Sequence, residues 1–123
     1  MKQTALIIED DKFLADIYLT KLQQAGFQVE VAEDGKSGIQ KAQEMRPNVI
    51  LLDIVMPQVD GFEVLKRLKE ISEMKETRFI LLTNLGQKEN VERGLKLGAD
   101  AYIVKAHYTP TEVVAKVKEV LEK

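Results

Sequence analysis

Three short apolar runs in this chain each end on a charged residue. Ala5-Leu6-Ile7-Ile8 runs into Glu9-Asp10-Asp11, Val49-Ile50-Leu51-Leu52 into Asp53, and Tyr102-Ile103-Val104 into Lys105. Apolar runs of this length read as strands buried on both faces, the habit of parallel sheets. A residue directly after such a strand stands at its carboxyl end, and in open parallel α/β sheets that edge is where ligands bind. The repeated placement predicts a single pocket that holds carboxylates together with an ammonium.

Longer amphipathic stretches separate the runs. Lys12 to Ala25 carries Leu14, Ile17, Tyr18, Leu22 and Ala25 at helical spacing, and Gly26 supplies a stop. Phe27 to Ala32 reads as a second, weaker strand, because polar residues alternate through it. Asp34-Gly35 leads into a helix with Ile39, Ala42 and Met45, which Pro47 ends. Asn48 to Asp53 is the most apolar strand and is expected at the centre. Val64, Leu65, Leu68 and Ile71 mark a third helix, Phe79 to Thr83 a fourth strand, and Val91, Leu95 and Gly98 a fourth helix and its end. After the fifth strand, Ala101 to Val104, Thr109-Pro110-Thr111-Glu112 combines a capping box with proline at the first helical position. Val113, Val114, Val117, Val120 and Leu121 then line one face of the last helix. Strand and helix repeated five times predict an α/β, doubly wound parallel sheet covered on both sides. One domain over 1–123 is expected to account for the whole chain, with no linker or output domain expected after it.

Bulk properties narrow the function classes. A length of 123 residues suits one core, and 45% hydrophobic with 31% charged residues is a globular profile. The net charge of -2 leaves no electrostatic footprint for nucleic acid. The absence of cysteine excludes a disulfide framework and a thiolate site. Neither a signal-peptide-like start nor an uncharged stretch of bilayer length is present. The expectation is a soluble cytoplasmic protein that binds neither membrane nor, directly, nucleic acid.

Carboxylates crowded at one sheet edge repel one another and need a counter-charge. A hard divalent cation supplies it, and Mg2+ favours one or two carboxylates with waters and phosphate oxygens. No histidine or cysteine stands in these segments, which argues against zinc. An aspartate in such a cluster can attack a phosphoryl group to form an acyl phosphate. Lys105 could pair with that group, and Thr83, at the end of its own strand, could donate a hydrogen bond to it. Blander readings stand beside these. Asp10, Asp11 or Asp60 at a helix start could serve only as caps. Lys105 alone reads as a solvated lysine, and His107 in its loop reads as a surface residue. Asp53 resists the capping reading, since Ile54-Val55-Met56-Pro57 follows it and starts no helix.

In order, Leu6-Ile7-Ile8-Glu9-Asp10-Asp11, Leu51-Leu52-Asp53-Ile54-Val55-Met56-Pro57-Gln58-Val59-Asp60-Gly61, Leu82-Thr83 and Gly98-Ala99-Asp100-Ala101-Tyr102-Ile103-Val104-Lys105 resemble the receiver domain of two-component response regulators across essentially the whole chain. The resemblance implies a flavodoxin-like fold with strand order 2-1-3-4-5. It implies that Asp53 accepts a phosphoryl group from a histidine kinase or histidine phosphotransfer protein. Asp10 would ligate Mg2+ directly, with Mn2+ able to substitute, Glu9 through water, and the Val55 backbone carbonyl would complete the protein ligands together with Asp53. Thr83 and Lys105 would contact the phosphoryl group, and Tyr102 would be the aromatic switch. The resemblance further implies a signalling switch rather than a turnover enzyme. Its readout would run through the fourth helix, fifth strand and fifth helix to a downstream protein or a second copy.

Two positions depart from the family pattern. Ala106 replaces the usual proline after the lysine, and a cis non-prolyl bond costs about 2.5–4 kcal/mol, which favours a trans loop. Asn84 replaces a small residue after the threonine, and with Val55 and Leu85 it is expected to restrict water and slow loss of the phosphoryl group. A phosphorylation-independent scaffold or dimerisation module is the competing reading. Such modules usually lose the acid pair, the aspartate or the lysine, and this chain keeps all of them. A phosphatase with an aspartyl intermediate typically needs a second acid two residues after the nucleophile, where Val55 stands.

Overall fold

The computed structural model describes residues 2–123, so Met1 at the edge of the expected domain lies outside the described residues. Five strands alternate with five helices: β1 (Thr4–Ile8), α1 (Lys12–Gln24), β2 (Gln28–Ala32), α2 (Gly35–Met45), β3 (Val49–Leu52), α3 (Gly61–Lys69), β4 (Arg78–Thr83), α4 (Lys88–Lys96), β5 (Ala101–Val104) and α5 (Pro110–Leu121). Short 3-10 turns at Ser72–Met74 and Lys105–His107 complete the chain. All strand pairs are parallel, in the order β2-β1-β3-β4-β5. The flavodoxin-like arrangement expected from the resemblance is therefore the one present.

Burial follows from the pleat of the central strands. Leu6, Ile8, Ile50, Leu52, Phe79 and Leu81 face one side, where they meet Val64, Leu65 and Leu68 of α3. Ala5, Ile7, Val49, Leu51, Ile80 and Leu82 face the other, against Tyr18 and Leu22 of α1 and Val113, Val117 and Val120 of α5. Each large side chain removed from water in this way contributes about 1.5–3 kcal/mol. Such strands have no polar face and hence no alternation, which is why their sequences are uninterrupted apolar runs. β2, at the sheet edge, keeps exposed Gln28 and Glu30 and alternates accordingly.

Helix starts follow local chemistry. The Asp11 carboxylate accepts from the Phe13 and Leu14 amides, Asp34 from Ser37, and Asp60 from Glu63. The capping reading thus holds for Asp11 and Asp60 but not for Asp10. Thr109 and Glu112 form the reciprocal capping box ahead of α5. The fourth helix forms as the periodicity predicts, but Leu95 is 48% exposed instead of buried. What α4 turns to the sheet is Gly94, where a Cβ would meet the Leu81 side chain and lie 3.1 Å from the Tyr102 ring. Among the described residues no helix is long and apolar enough to cross a membrane.

The chain leaves β1 for β2 on one side and reaches β3 on the other. The carboxyl ends of β1 and β3 therefore border the crevice at which the winding reverses. The loop after β3 is tightly folded there. The Val59 amide bonds to the Pro57 carbonyl at 2.8 Å across Gln58, whose φ of 69° is left-handed. Gly61 follows at the start of α3, its amide donating to the Ile54 carbonyl at 2.8 Å. A Cβ at Gly61 would press on the Asp53 carbonyl and lie 2.7 Å from the Ile54 Cα, and both obstacles are backbone. Gly61→Ala should therefore lower stability by about 2–4 kcal/mol, at the upper end of single substitutions, read as a reduced urea midpoint. An unchanged midpoint would show that the loop yields without strain.

Candidate functional site

The strand ends bring the expected residues together. Glu9 follows β1 and is 3% exposed, and Asp53 follows β3 and is 7% exposed. Lys105 follows β5 and reaches between them, its Nζ 2.5 Å from Glu9 Oε1 and 3.0 Å from Asp53 Oδ2. Asp10 is solvent-exposed, but one carboxylate oxygen from each of Glu9, Asp10 and Asp53 lies within 4.8 Å of the others. A cavity of about 400 Å3 is lined by these residues together with Val55, Thr83 and Asn84. The Thr83 side chain is fully buried, and its Oγ1 accepts from the Leu85 amide at 3.4 Å.

Local backbone orients the carboxylates. Asp53 Oδ1 accepts from the Ile54 amide at 2.7 Å and the Val55 amide at 3.4 Å, while Oδ2 takes the lysine. Glu9 Oε2 accepts from the Asp11 amide at 3.2 Å, which leaves Oε1 for Lys105. Among the described residues no cis peptide occurs, so the Lys105–Ala106 bond is trans, as the missing proline led one to expect. Tyr102 is half-buried, and its hydroxyl donates to the Leu85 carbonyl in the loop that follows Thr83. Val55 has its side chain 59% exposed at the cavity mouth.

Charge within the cluster is unbalanced, because two buried carboxylates share one ammonium. Burial pushes Glu9 up to about 7; the hydrogen bond from Lys105 opposes this and the charge of Asp53 adds to it. Burial alone would lower Lys105, but Glu9 and Asp53 outweigh it and hold the ammonium above its ordinary range. The donor set is all oxygen, carries excess negative charge and opens to solvent at Asp10. That fits a hard divalent cation such as Mg2+, which keeps several waters.

Sequence reasoning reached every residue of this cluster through its place after a strand. It did not reach the direct bonds from Lys105 to Glu9 and Asp53, since pairing across ninety-six positions leaves no local trace. Nor did it single out Tyr18, read only as an apolar position of α1, whose ring lines a cavity shared with Lys105. A tyrosine on a buried helix stripe is ambiguous in sequence.

A family profile described as "Response regulator receiver domain" matches residues 5–118. The chain is 36% identical over 123 residues to the phosphate regulon transcriptional regulatory protein PhoB of Escherichia coli, covering all of this chain and 53% of that protein. It is 36% identical over 118 residues to the DNA-binding dual master transcriptional regulator RpaA of Synechocystis, covering 96% of this chain and 48% of that one. The chain thus spans about half the length of these curated relatives. The chemotaxis protein CheY4 of Vibrio cholerae superimposes with a TM-score of 0.91 at 31% identity, covering 98% of this chain and 99% of its own.

The raised Glu9 value has a definite sign. Between its ordinary value of 4.5 and about 7, the folded protein holds a proton on Glu9 that the unfolded chain has released, so this group costs stability as pH rises through that window. A divalent cation needs the carboxylate form. Mg2+ affinity should therefore climb as pH rises through about 7, measured by calorimetric titration on either side of neutrality. In Glu9→Gln the affinity should be lower and this pH dependence flatter. An equally steep dependence in the variant would assign it to another group.

Proposed function

The chain belongs to the response regulator receiver domain family, and on that premise we propose that it is a phosphorylation-activated switch whose acceptor is Asp53. The donor would be a histidine kinase or a histidine phosphotransfer protein. The observation that carries this reading is the Lys105 ammonium seated between Glu9 and Asp53 beside the exposed Asp10. It gathers a nucleophilic carboxylate, a cation for the incoming phosphoryl group and a set of oxygen donors in one cavity.

Each residue then has a task. Asp53 presents Oδ2 to phosphorus, while the Ile54 and Val55 amides hold Oδ1 and fix the plane of the carboxylate. Lys105 pairs with the transferred group, a charge-assisted contact stronger than a neutral hydrogen bond. Asp10 and Asp53, with Glu9 through water and the Val55 backbone carbonyl, would hold Mg2+. Held by these residues, Mg2+ would supply positive charge for the phosphoryl oxygens. Asn84, Leu85 and Val55 line the mouth of the cavity and would limit the approach of water to the acyl phosphate. The protein would assist its own phosphorylation and dephosphorylation without turning over a separate substrate.

The route outward begins at Thr83. Drawn toward the phosphoryl group, its hydroxyl would give up the Leu85 amide and move the loop whose carbonyl holds the Tyr102 hydroxyl. Tyr102 also packs near Gly94, so a change at the ring reaches α4. The phosphoryl group biases this equilibrium only through contacts that differ between the two states. The face formed by α4, β5 and α5 is the proposed readout surface, and a second protein or a second copy would bind it. A cytoplasmic setting accompanies this reading.

With a small phosphodonor and Mg2+, the protein should gain the mass of one phosphoryl group, and Asp53→Asn should gain none. Tyr102→Ala should take up the label yet lose the phosphorylation-dependent change in amide exchange across α4. A labelled Asp53→Asn protein, or an unaltered α4 response in Tyr102→Ala, would overturn the corresponding assignment. Asn84→Ala should lose the phosphoryl group several-fold faster than the parent, followed as decay of the labelled mass. An unchanged decay rate would remove Asn84 from the control of water.

A further inference from the structure

α4 lies on the sheet without an apolar face of its own. Gly94 is its one buried residue, and a Cβ there would meet the Leu81 side chain. A surface helix ordinarily buries a broad apolar stripe, and its lack here leaves the placement of α4 to contacts at its flanks. Two cations supply them. Arg93, next to Gly94, carries its guanidinium 4.3 Å from the centroid of the Phe62 ring. Lys69, the last residue of α3, has its Nζ 5.5 Å from the Phe79 centroid. Its stem runs close under Gly98, just past α4, where a Cβ would lie 2.7 Å from Lys69 Cε. Both rings belong to one buried layer, Phe62 being 4% exposed and Phe79 0%. Arg93 itself is exposed, and no carboxylate among the described residues forms an ion pair with it. The neighbouring Glu92 lies 3.8 Å from the Lys88 ammonium instead.

The Phe62 ring is also tied to the acid cavity. Phe62 follows Gly61, whose amide donates to the Ile54 carbonyl at 2.8 Å, while the Ile54 amide donates to Asp53 Oδ1 at 2.7 Å. One loop therefore orients the acceptor carboxylate and carries the ring on which Arg93 rests. We propose that the Arg93–Phe62 contact is a latch that holds α4 in its unphosphorylated position and joins it to the acceptor loop, a second link that bypasses Thr83 and Tyr102. The link to the loop rests on Asp53 being the acceptor. A cation within about 6 Å of an aromatic centroid is attracted by the ring quadrupole, modestly where the cation stays solvated. A modest contact suits a latch, because it biases the position of α4 and is still readily released. Coupling of this kind is reciprocal: the factor by which the acceptor loop steadies α4 is the factor by which freeing α4 acts on the loop.

A double-mutant cycle read by amide exchange tests the latch. Arg93→Gln should speed exchange across α4 of the unphosphorylated protein about threefold, the factor that a solvated cation–aromatic contact commands. Phe62→Leu, which keeps an apolar side chain in the core, should do the same, and the double variant should gain nothing further. Urea midpoints show which variants keep the fold, and Phe62→Met takes the place of Phe62→Leu if leucine unfolds it. Unchanged exchange in Arg93→Gln, or effects of the two substitutions that simply add, would reject the latch. The link to the acceptor is read with acetyl phosphate and Mg2+. Arg93→Gln should label Asp53 about threefold faster, in the parent and in a Tyr102→Ala background alike. An unchanged labelling rate, or a gain that Tyr102→Ala abolishes, would overturn the second link. If the parent takes no label, the acceptor assignment fails and the link falls with it. The exchange cycle needs no phosphodonor, so it decides the latch separately.

Discussion

The Lys105 ammonium, held between Glu9 and Asp53, is the interaction around which this molecule is organised. Two buried carboxylates at the ends of adjacent strands would repel each other strongly, and a single cation delivered from a third strand makes the arrangement tolerable. Burial holds Glu9 far above an ordinary carboxylic acid, with the hydrogen bond from Lys105 opposing the rise and the charge of Asp53 adding to it. A site left short of positive charge suits a hard divalent cation. The apolar sheet beneath keeps the geometry rigid. Glu9, Asp53 and Lys105 directly follow strands whose registers are set by interior packing on both faces.

The same rigidity directs where movement can occur. The central strands and α3 are buried in a closely packed layer, and a substitution there is felt as lost packing. α4 is different, because its one buried residue is a glycine and its Leu95 faces solvent. It rests on Leu81 and Tyr102 without a large apolar stripe of its own. Arg93 lies over the Phe62 ring at 4.3 Å and ties it to the start of α3. An element held by so few contacts is drawn from the low-stability end of a fold, where switching elements are found. Thr83, Leu85 and Tyr102 join it to the acid cavity through two hydrogen bonds, so site and surface share one short chain of contacts.

Much of the site is legible in the amino-acid sequence, for a reason that particular residues make plain. Asp53 closes an apolar run and starts no helix, so its carboxylate had no structural duty to explain it. Asp11 and Asp60 are acids of the same kind in similar loops, yet each bonds to amides two or three residues ahead and serves as a cap. For Asp10, Asp11 and Asp60 sequence position alone left the capping reading open, and the hydrogen bonds decide it. Leu95 shows the converse limit. Its helical spacing marked α4 correctly, but periodicity reports that a helix exists more reliably than which apolar residue it buries. Tyr18 was invisible as a polar group because the phenol ring satisfies the same pattern as a leucine.

By itself the sequence determined the alternation of strands and helices, the capping box that starts α5 and the carboxyl-edge placement of Glu9, Asp10, Asp53 and Lys105. These follow from side-chain periodicity and local hydrogen bonding, which act over a few residues. Tertiary structure alone decided that Lys105 bonds to Glu9 and Asp53 and not to solvent, and that Tyr102 reaches the Leu85 carbonyl. Those outcomes depend on distances between segments far apart in the chain. Such distances are set by the packing of whole helices against the sheet, which no local pattern encodes.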